Sequence, residues 1–232
     1  DVAGMSVAFP IGIGLALVIG VVDNYLARPI GNSALLFAGV VLVVLAIVVN
    51  AIAYRRLPDG KSTASLKGIL LSVAAGIMMG FFYGFVAKSL AADFADPAAG
   101  QLTPYAAVFV FSLGILASNF LWNSFFMYRP LAGTAVSYGD YFRMGNTRLH
   151  LIGLLGGAIW CLGMSFNILA SGVAGPAISY GLGQGATLIA AAWGVFIWKE
   201  FAAAPKGTDR LLYLMFLFFF VGLAMIILAR LG

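Results

Sequence analysis

Seven long apolar runs divide this chain, and the centre of none of them carries Asp, Glu, Lys or Arg. They are 5–23, 33–53, 68–90, 104–128, 150–171, 176–198 and 210–230. About 20 mainly apolar residues suffice to cross a bilayer as an α-helix. The rest of the sequence leaves no other solvent for them. Hydrophobic residues make up 62% of the 232 and charged residues 9%, against roughly 25% charged in a soluble domain. That excludes a cytosolic enzyme, a nucleic-acid module and a disordered chain. The β-branched run 41–49 would suit a strand, but outer-membrane strands are about 10 residues long and alternate in polarity. The fold expected is all-α: a polytopic membrane helix bundle with seven transmembrane helices.

The net charge of +5 is a topology signal rather than a sign of nucleic acid, because the basic residues sit in short connections. Arg55, Arg56, Lys61 and Lys67 lie in the second connection, Arg129, Arg143 and Arg148 in the fourth, and Lys199, Lys206 and Arg210 in the sixth. These alternate loops are expected on the cytoplasmic side. The opposite loops are poorer, with Arg28 in the first, Lys88 against Asp93 and Asp96 in the third, and no charge over 172–175. Pro104 and Pro176 open their runs at the position where a missing N–H costs least. Polar segment 54–66 is the best boundary, so the division expected is 1–53, a cytoplasmic linker at 54–66, and 67–232. Two spans before that linker and five after it would suit a five-plus-five inverted repeat lacking its first three helices. The start at Asp1, without an initiator Met, is read as processing or as a fragment.

Polar groups inside the spans are amides and aromatics. Charges at membrane depth are costly and usually functional, so their absence favours a neutral polar solute. Asn119, Trp122 and Asn123 share a helix face at i, i+3, i+4 spacing, as do Trp160, Met164 and Asn167, and Tyr180, Gln184 and Thr187. Amides offer donors and acceptors together, which suits a ureide, a nucleobase or sugar hydroxyls; bonding between helices would use the same groups. Gly181, Gly183 and Gly185 around Gln184 would loosen that helix, and Trp193 would wall a cavity. Gly76, Gly80 and Gly84 form a close-packing stripe, with Tyr83 beside it as a further candidate solute contact. Gly153, Gly156 and Gly157 would allow another close helix approach. Ala16, Gly20 and Asn24 form a stripe on the first run. Asp23 pairs with Arg28 or serves as a coupling carboxylate; Glu200 has the same two readings at the cytoplasmic end.

Other chemistries lack their residues. His150 is the only histidine, too few for a histidine metal site. There is no Gly-x-Ser-x-Gly elbow, no phosphate-binding loop, and no lysine in the last run for a retinal Schiff base. Cys161 is a small apolar filler. No catalysis, metal or cofactor is expected.

Several stretches together resemble a known family. Ser6-Val7, Val18-Ile19-Gly20 and Asn24-Tyr25-Leu26 look like the fourth helix of the ureide permeases of the drug/metabolite transporter superfamily. The spacing to 35–38 and the basic loop that follows agree with it. Asn123 with Tyr128-Arg129-Pro130-Leu131-Ala132-Gly133 resembles that family's Tyr-Trp-Pro-Ile-x-Gly connection. Gln184, Trp193-Gly194 and Glu200 resemble its ninth helix. The resemblance implies a ten-helix inverted-repeat carrier whose fourth to tenth helices are the seven runs here. It also implies solutes such as allantoin and uracil, and proton coupling; related bacterial families carry glucose, ribose or rhamnose. Three features depart from the pattern: Phe9 near a family carboxylate, a central loop shortened to 54–66, and Gly181 where an acidic residue is expected.

The reading is a permease of the plasma membrane, as in a bacterial inner membrane, that moves a small neutral polar solute by alternating access. Its solute contacts are Asn119, Trp122, Asn123, Trp160, Asn167, Gln184, Trp193 and Tyr83, and its coupling candidates are Asp23 and Glu200. Its partners are the solute and the bilayer, with no nucleic acid. A homodimer would complete the cavity if seven helices were the whole protein. A sugar carrier of the same fold and a scaffold subunit without transport are the alternatives. Amides that face only one another, with no cavity, would favour the scaffold.

Overall fold

A computed structural model describes the backbone of residues 5–57, 66–131 and 133–231, with side chains from Ile11 onward. Most of the expected linker 54–66, the side chains of Ser6, Val7 and Phe9, and Ala132 therefore lie outside the described residues. Among the described residues the regular elements are helices, joined by turns and irregular connections, with one isolated parallel bridge between Leu90 and Leu102. Its long helices are α1 (Met5–Ala27), α2 (Ser33–Arg55), α3 (Leu66–Ser89), α4 (Pro104–Tyr128), α6 (Thr147–Ala174) and α9 (Thr208–Leu228). Short α5 spans Tyr138–Met144. The run 176–198 is divided into α7 (Pro176–Gly183), α8 (Gly185–Ala192) and a π-helical turn (Trp193–Ile197). Among the described residues six stretches are long and apolar enough to cross a membrane: α2, α3, α4, α6, Pro176–Ile197 and α9. The first expected span is helical as α1, but its part with described side chains, Ile11–Ala27, is shorter than a full span.

The chain packs as two units, one of Asp1–Lys88 with Ala170–Gly232, the other of Ser89–Leu169. In the first, α2 lies along α9, and α1 packs on both α2 and α7. Lipid tails are as apolar as leucine, so helices associate in a bilayer through close van der Waals fit rather than through the hydrophobic effect. Glycines supply that fit. A Cβ on Gly39 would stand 2.7 Å from the Gly222 carbonyl oxygen, and one on Gly222 would stand 2.9 Å from the Gly39 carbonyl oxygen. Leu36, Val43, Met215, Phe219 and Ile226 are buried along this seam. At its end Asn32 caps α2 by accepting from the Leu35 N–H at 3.1 Å, while its own N–H donates to the Ala229 carbonyl at 2.7 Å. Gly31 turns the chain there at φ +86°, with the Ala229 carbonyl where a side chain would begin. The Gly76, Gly80, Gly84 stripe of α3 does pack closely, against Gly12, Ile19 and Asp23 of α1 in turn.

In the second unit α4 begins at Pro104 behind the Thr103 cap. Phe109, Leu113 and Leu116 of α4 and Leu154, Leu155 and Phe166 of α6 are exposed, as lipid-facing side chains must be. Gly153, Gly156 and Gly157 have no described atom within 4 Å of a would-be Cβ, so within this unit no described helix makes the close approach expected of them. Helix α5 was not expected in the connection 129–149. Its start is a reciprocal cap: Ser137 Oγ accepts from the Asp140 N–H at 3.2 Å, and Asp140 Oδ2 accepts from the Ser137 N–H at 2.9 Å. Two fixed donors at so short a helix supply the order that length cannot. The Ser137 hydroxyl and N–H hold the Asp140 carboxyl below the ordinary carboxylate range. Tyr138 bonds to Ser124 of α4 at 2.6 Å and Tyr141 to His150 Nδ1 of α6 at 3.2 Å, which ties α5 to both neighbours.

Candidate functional site

The first unit places its polar groups around the interrupted helix 176–197. Gly181, Gly183 and Gly185 each weaken an α-helix by about 1 kcal/mol relative to alanine, and the ladder gives way among them. The Gln184 N–H donates to Gly181 O at 3.2 Å, three residues back. The Gln184 carbonyl accepts from both the N–H and the hydroxyl of Thr187, at 3.0 and 2.6 Å. Gln184 is buried, and its carboxamide does not cap α8 or bond to any described residue. Directly after α8 the helix widens, with Trp198 N donating to Trp193 O at 3.0 Å. Thus the single helix expected over 176–198 is a broken one. Trp193 opens the π-helical turn and is 51% exposed.

A buried tyrosine cluster lies beside the break. The Tyr180 hydroxyl shares its one proton between the Ala16 carbonyl of α1 at 3.2 Å and the Met79 carbonyl of α3 at 3.1 Å. One hydroxyl thereby bridges two helices. Its ring covers Gly20, where a Cβ would overlap three ring atoms. Tyr83 is fully buried, 5.4 Å from Tyr180 between ring centroids, with Ser171 and Ser179 as hydroxyl partners. Asn24, on the same stripe of α1, is buried and donates to the Gly20 carbonyl at 2.7 Å. Asp23 makes no ion pair with Arg28; its carboxylate rests on Gly84 instead. The spacing explains this, since i, i+5 residues do not share a helix face.

Among the described residues Glu200 is likewise not in an ion pair. The Tyr54 hydroxyl of α2 donates to Glu200 Oε2 at 2.5 Å, and the Phe201 ring braces Tyr54 at 5.0 Å. Lys199 adopts a left-handed φ of +52°, which swings the chain back so that the Glu200 N–H reaches Gly194 O at 3.0 Å. The carboxylate then lies over Gly194, where a Cβ would stand 2.8 Å from Oε2. That is the physical sense of the Trp193-Gly194 pair preceding Glu200 at this spacing. Beside it is a cavity of about 190 Å³ lined by Asn50, Tyr54, Thr187, Trp198, Glu200 and Phe219 among others. A left-handed lysine costs about 1–2 kcal/mol. Lys199→Gly should therefore raise stability by about 1 kcal/mol, read as a higher midpoint of thermal unfolding in detergent. An unchanged or lower midpoint would mean the lysine side chain stabilises the turn in its own right.

In the second unit, Asn119 and Asn123 line a hollow of about 640 Å³ with Thr134, Tyr138, Tyr141 and Phe142. The Asn123 amide donates to Asn119 Oδ1, one helical turn away. Trp122, placed on their face by spacing alone, is not part of this lining; it stacks on Phe126 and is 55% exposed. Trp160 packs against Phe111 at 6.2 Å and is 53% exposed, and Asn167 is half-buried on α6. The hollow exists because Pro130 and Gly133, with φ +84°, bend the chain after α4, and because α5 fills the connection.

Sequence reasoning missed Asn50 and Tyr54. Their signal was present: they are the polar i, i+4 pair that ends an otherwise aliphatic run. Tyr180 and Thr187 were seen on the Gln184 face but not taken as contacts; the structure gives both of them defined roles.

The family model described as Ureide permease matches residues 55–229, most of the chain. No curated protein and no solved structure is matched by it.

Proposed function

Because the chain belongs to the ureide permease family, and is thus a multi-pass membrane transporter, we propose that it carries a small neutral ureide- or nucleobase-like solute by alternating access. The observation that carries the reading is Gln184, a buried amide at the break between α7 and α8 with no partner among the described residues. Broken helices in carriers set their free polar groups at the solute site. A solute with both N–H and C=O groups would satisfy it. Asn119, Asn123 and Asn167 are further proposed hydrogen-bonding contacts, with Tyr83, Trp122, Trp160 and Trp193 as proposed walls.

The fold reading goes with this. Residues 1–53 would be the last helices of a first repeat, 54–66 a cytoplasmic linker and 67–232 the second five-helix repeat, in a plasma membrane with the basic loops inside. Asp23 and Glu200 are the carboxylates available for proton coupling. The hollow beside Asn119 and Asn123 favours a carrier over a scaffold, since these amides face open space as well as each other.

Competition distinguishes the solute classes. Uptake of labelled allantoin should be reduced by unlabelled allantoin and uracil and left unchanged by glucose, ribose and rhamnose; the reverse pattern would establish the sugar carrier. Gln184→Ala should weaken solute affinity by about 1–3 kcal/mol, measured as a higher half-saturating concentration at unchanged membrane level. Wild-type kinetics in that variant would remove Gln184 from the site.

A further inference from the structure

We propose that the cavity between α2, α8 and α9 is itself a solute site, one that reads N–H donors through Glu200. The inference deepens the transport reading, on which its choice of solute rests, by adding a second station one helical turn from Gln184. Three observations carry it.

The first is size. At about 190 Å³ the cavity lies below the roughly 300 Å³ at which drug-sized pockets begin, and it suits a single ring. The second is chemistry. The walls are apolar side chains such as Ile47 and Phe219, and the polar groups are few and convergent: the Asn50 amide, the Tyr54 and Thr187 hydroxyls and the Glu200 carboxylate. Tyr54 occupies only Oε2 of Glu200, and Oε1 has no partner among the described residues. An ionised carboxylate accepts hydrogen bonds and donates none, so the group missing from this cavity is a donor. The Asn50 carboxamide beside it can donate to a carbonyl of the same solute. A ring bearing N–H and C=O groups side by side answers both, and a polyol lacking N–H groups does so less well.

The third observation is construction. Glu200 is carried into place by a π-helical turn, a left-handed Lys199 and a glycine cradle at Gly194. Departures of this kind from regular geometry cluster at functional sites. An ordinary α-helical ending after Ala192 would carry residue 200 away from Tyr54.

The test separates this cavity from transport as such. In the full chain with Cys161→Ser, a cysteine is placed in the cavity by Thr187→Cys, and its rate of maleimide labelling is followed in nanodiscs. Allantoin or uracil should slow labelling severalfold, and 1,3-dimethyluracil, the same ring without N–H groups, should not. Adding Glu200→Gln should weaken protection about 10- to 100-fold in concentration, the loss expected for a hydrogen bond to a charged group. Gly194→Ala should weaken it as well, because its methyl takes the place of the carboxylate. Labelling without solute reports whether each variant keeps the fold of the cavity. Equal protection by uracil and its dimethyl form, or full protection in Glu200→Gln, would overturn the proposal. Uptake of allantoin or uracil without any protection would overturn it while leaving the transport reading intact. Protection without uptake would support the site and contradict the transport reading.

Discussion

Gly39→Leu should cost about 3 kcal/mol and remove most of the properly folded protein. The reason is that the new side chain meets backbone as well as the Ile226 side chain. Its Cβ would lie 2.7 Å from the Gly222 carbonyl oxygen and 3.1 Å from the Ile226 backbone nitrogen, both on α9. Backbone atoms of a helix move only with the helix, so α2 and α9 must separate along the seam that buries Leu36, Val43, Met215 and Phe219. Overpacking a core commonly costs about 1–3 kcal/mol, and here the loss extends over the whole seam because fit is the main force between membrane helices. Unfolding midpoints and the yield of monodisperse protein in detergent measure it. Gly114→Leu is the matched control, since a Cβ there meets nothing within 4 Å; it should leave both quantities unchanged. Equal tolerance at the two positions would mean that the α2–α9 seam does not hold the unit together.

Gly20→Ala should cost about 2–4 kcal/mol, mostly by way of Tyr180. An alanine methyl would overlap the Tyr180 ring. Moving that ring aside breaks the hydrogen bond it shares between the Ala16 and Met79 carbonyls, at about 1 kcal/mol, and disturbs its contact with Tyr83. Because the penalty runs through one side chain, it should not add to the loss of that side chain. Tyr180→Ala alone is destabilising, but Gly20→Ala introduced on top of it should cost less than about 0.5 kcal/mol. Strict additivity in this double-mutant cycle would place the damage in α1 itself and not at the tyrosine.

The helical fold was legible because lipid imposes one rule throughout: backbone groups must be satisfied within the segment, so long apolar runs become helices. The Gly76, Gly80, Gly84 stripe was legible for a similar reason, since its spacing alone puts three small residues on one face. The Gly39–Gly222 contact was not. One glycine on each of two helices that are distant in sequence has no period to reveal it, and only the crossing point makes them partners. Helix α5 was hidden because seven residues are too few for periodicity, although Ser137 and Asp140 stood at capping-box spacing. At the site, face-sharing by spacing predicted that Asn119, Trp122 and Asn123 act together, and it joined the two asparagines only. A shared face constrains direction, not reach, and Trp122 found Phe126 first. The break at Gln184 followed from its glycines. The Glu200 turn did not, because it depends on a left-handed lysine that no propensity favours.

The measurement closest to the central claim is solute counterflow in proteoliposomes containing only this protein. Vesicles loaded with unlabelled allantoin and diluted into a trace of labelled allantoin should show a transient internal accumulation of label. It should be abolished by omitting the internal solute, by external uracil, and by Gln184→Ala at low solute concentration. Accumulation of label requires one site that faces each side in turn, which is what alternating access means. Labelled allantoin that merely equilibrates, at the same rate with and without protein, would contradict the account.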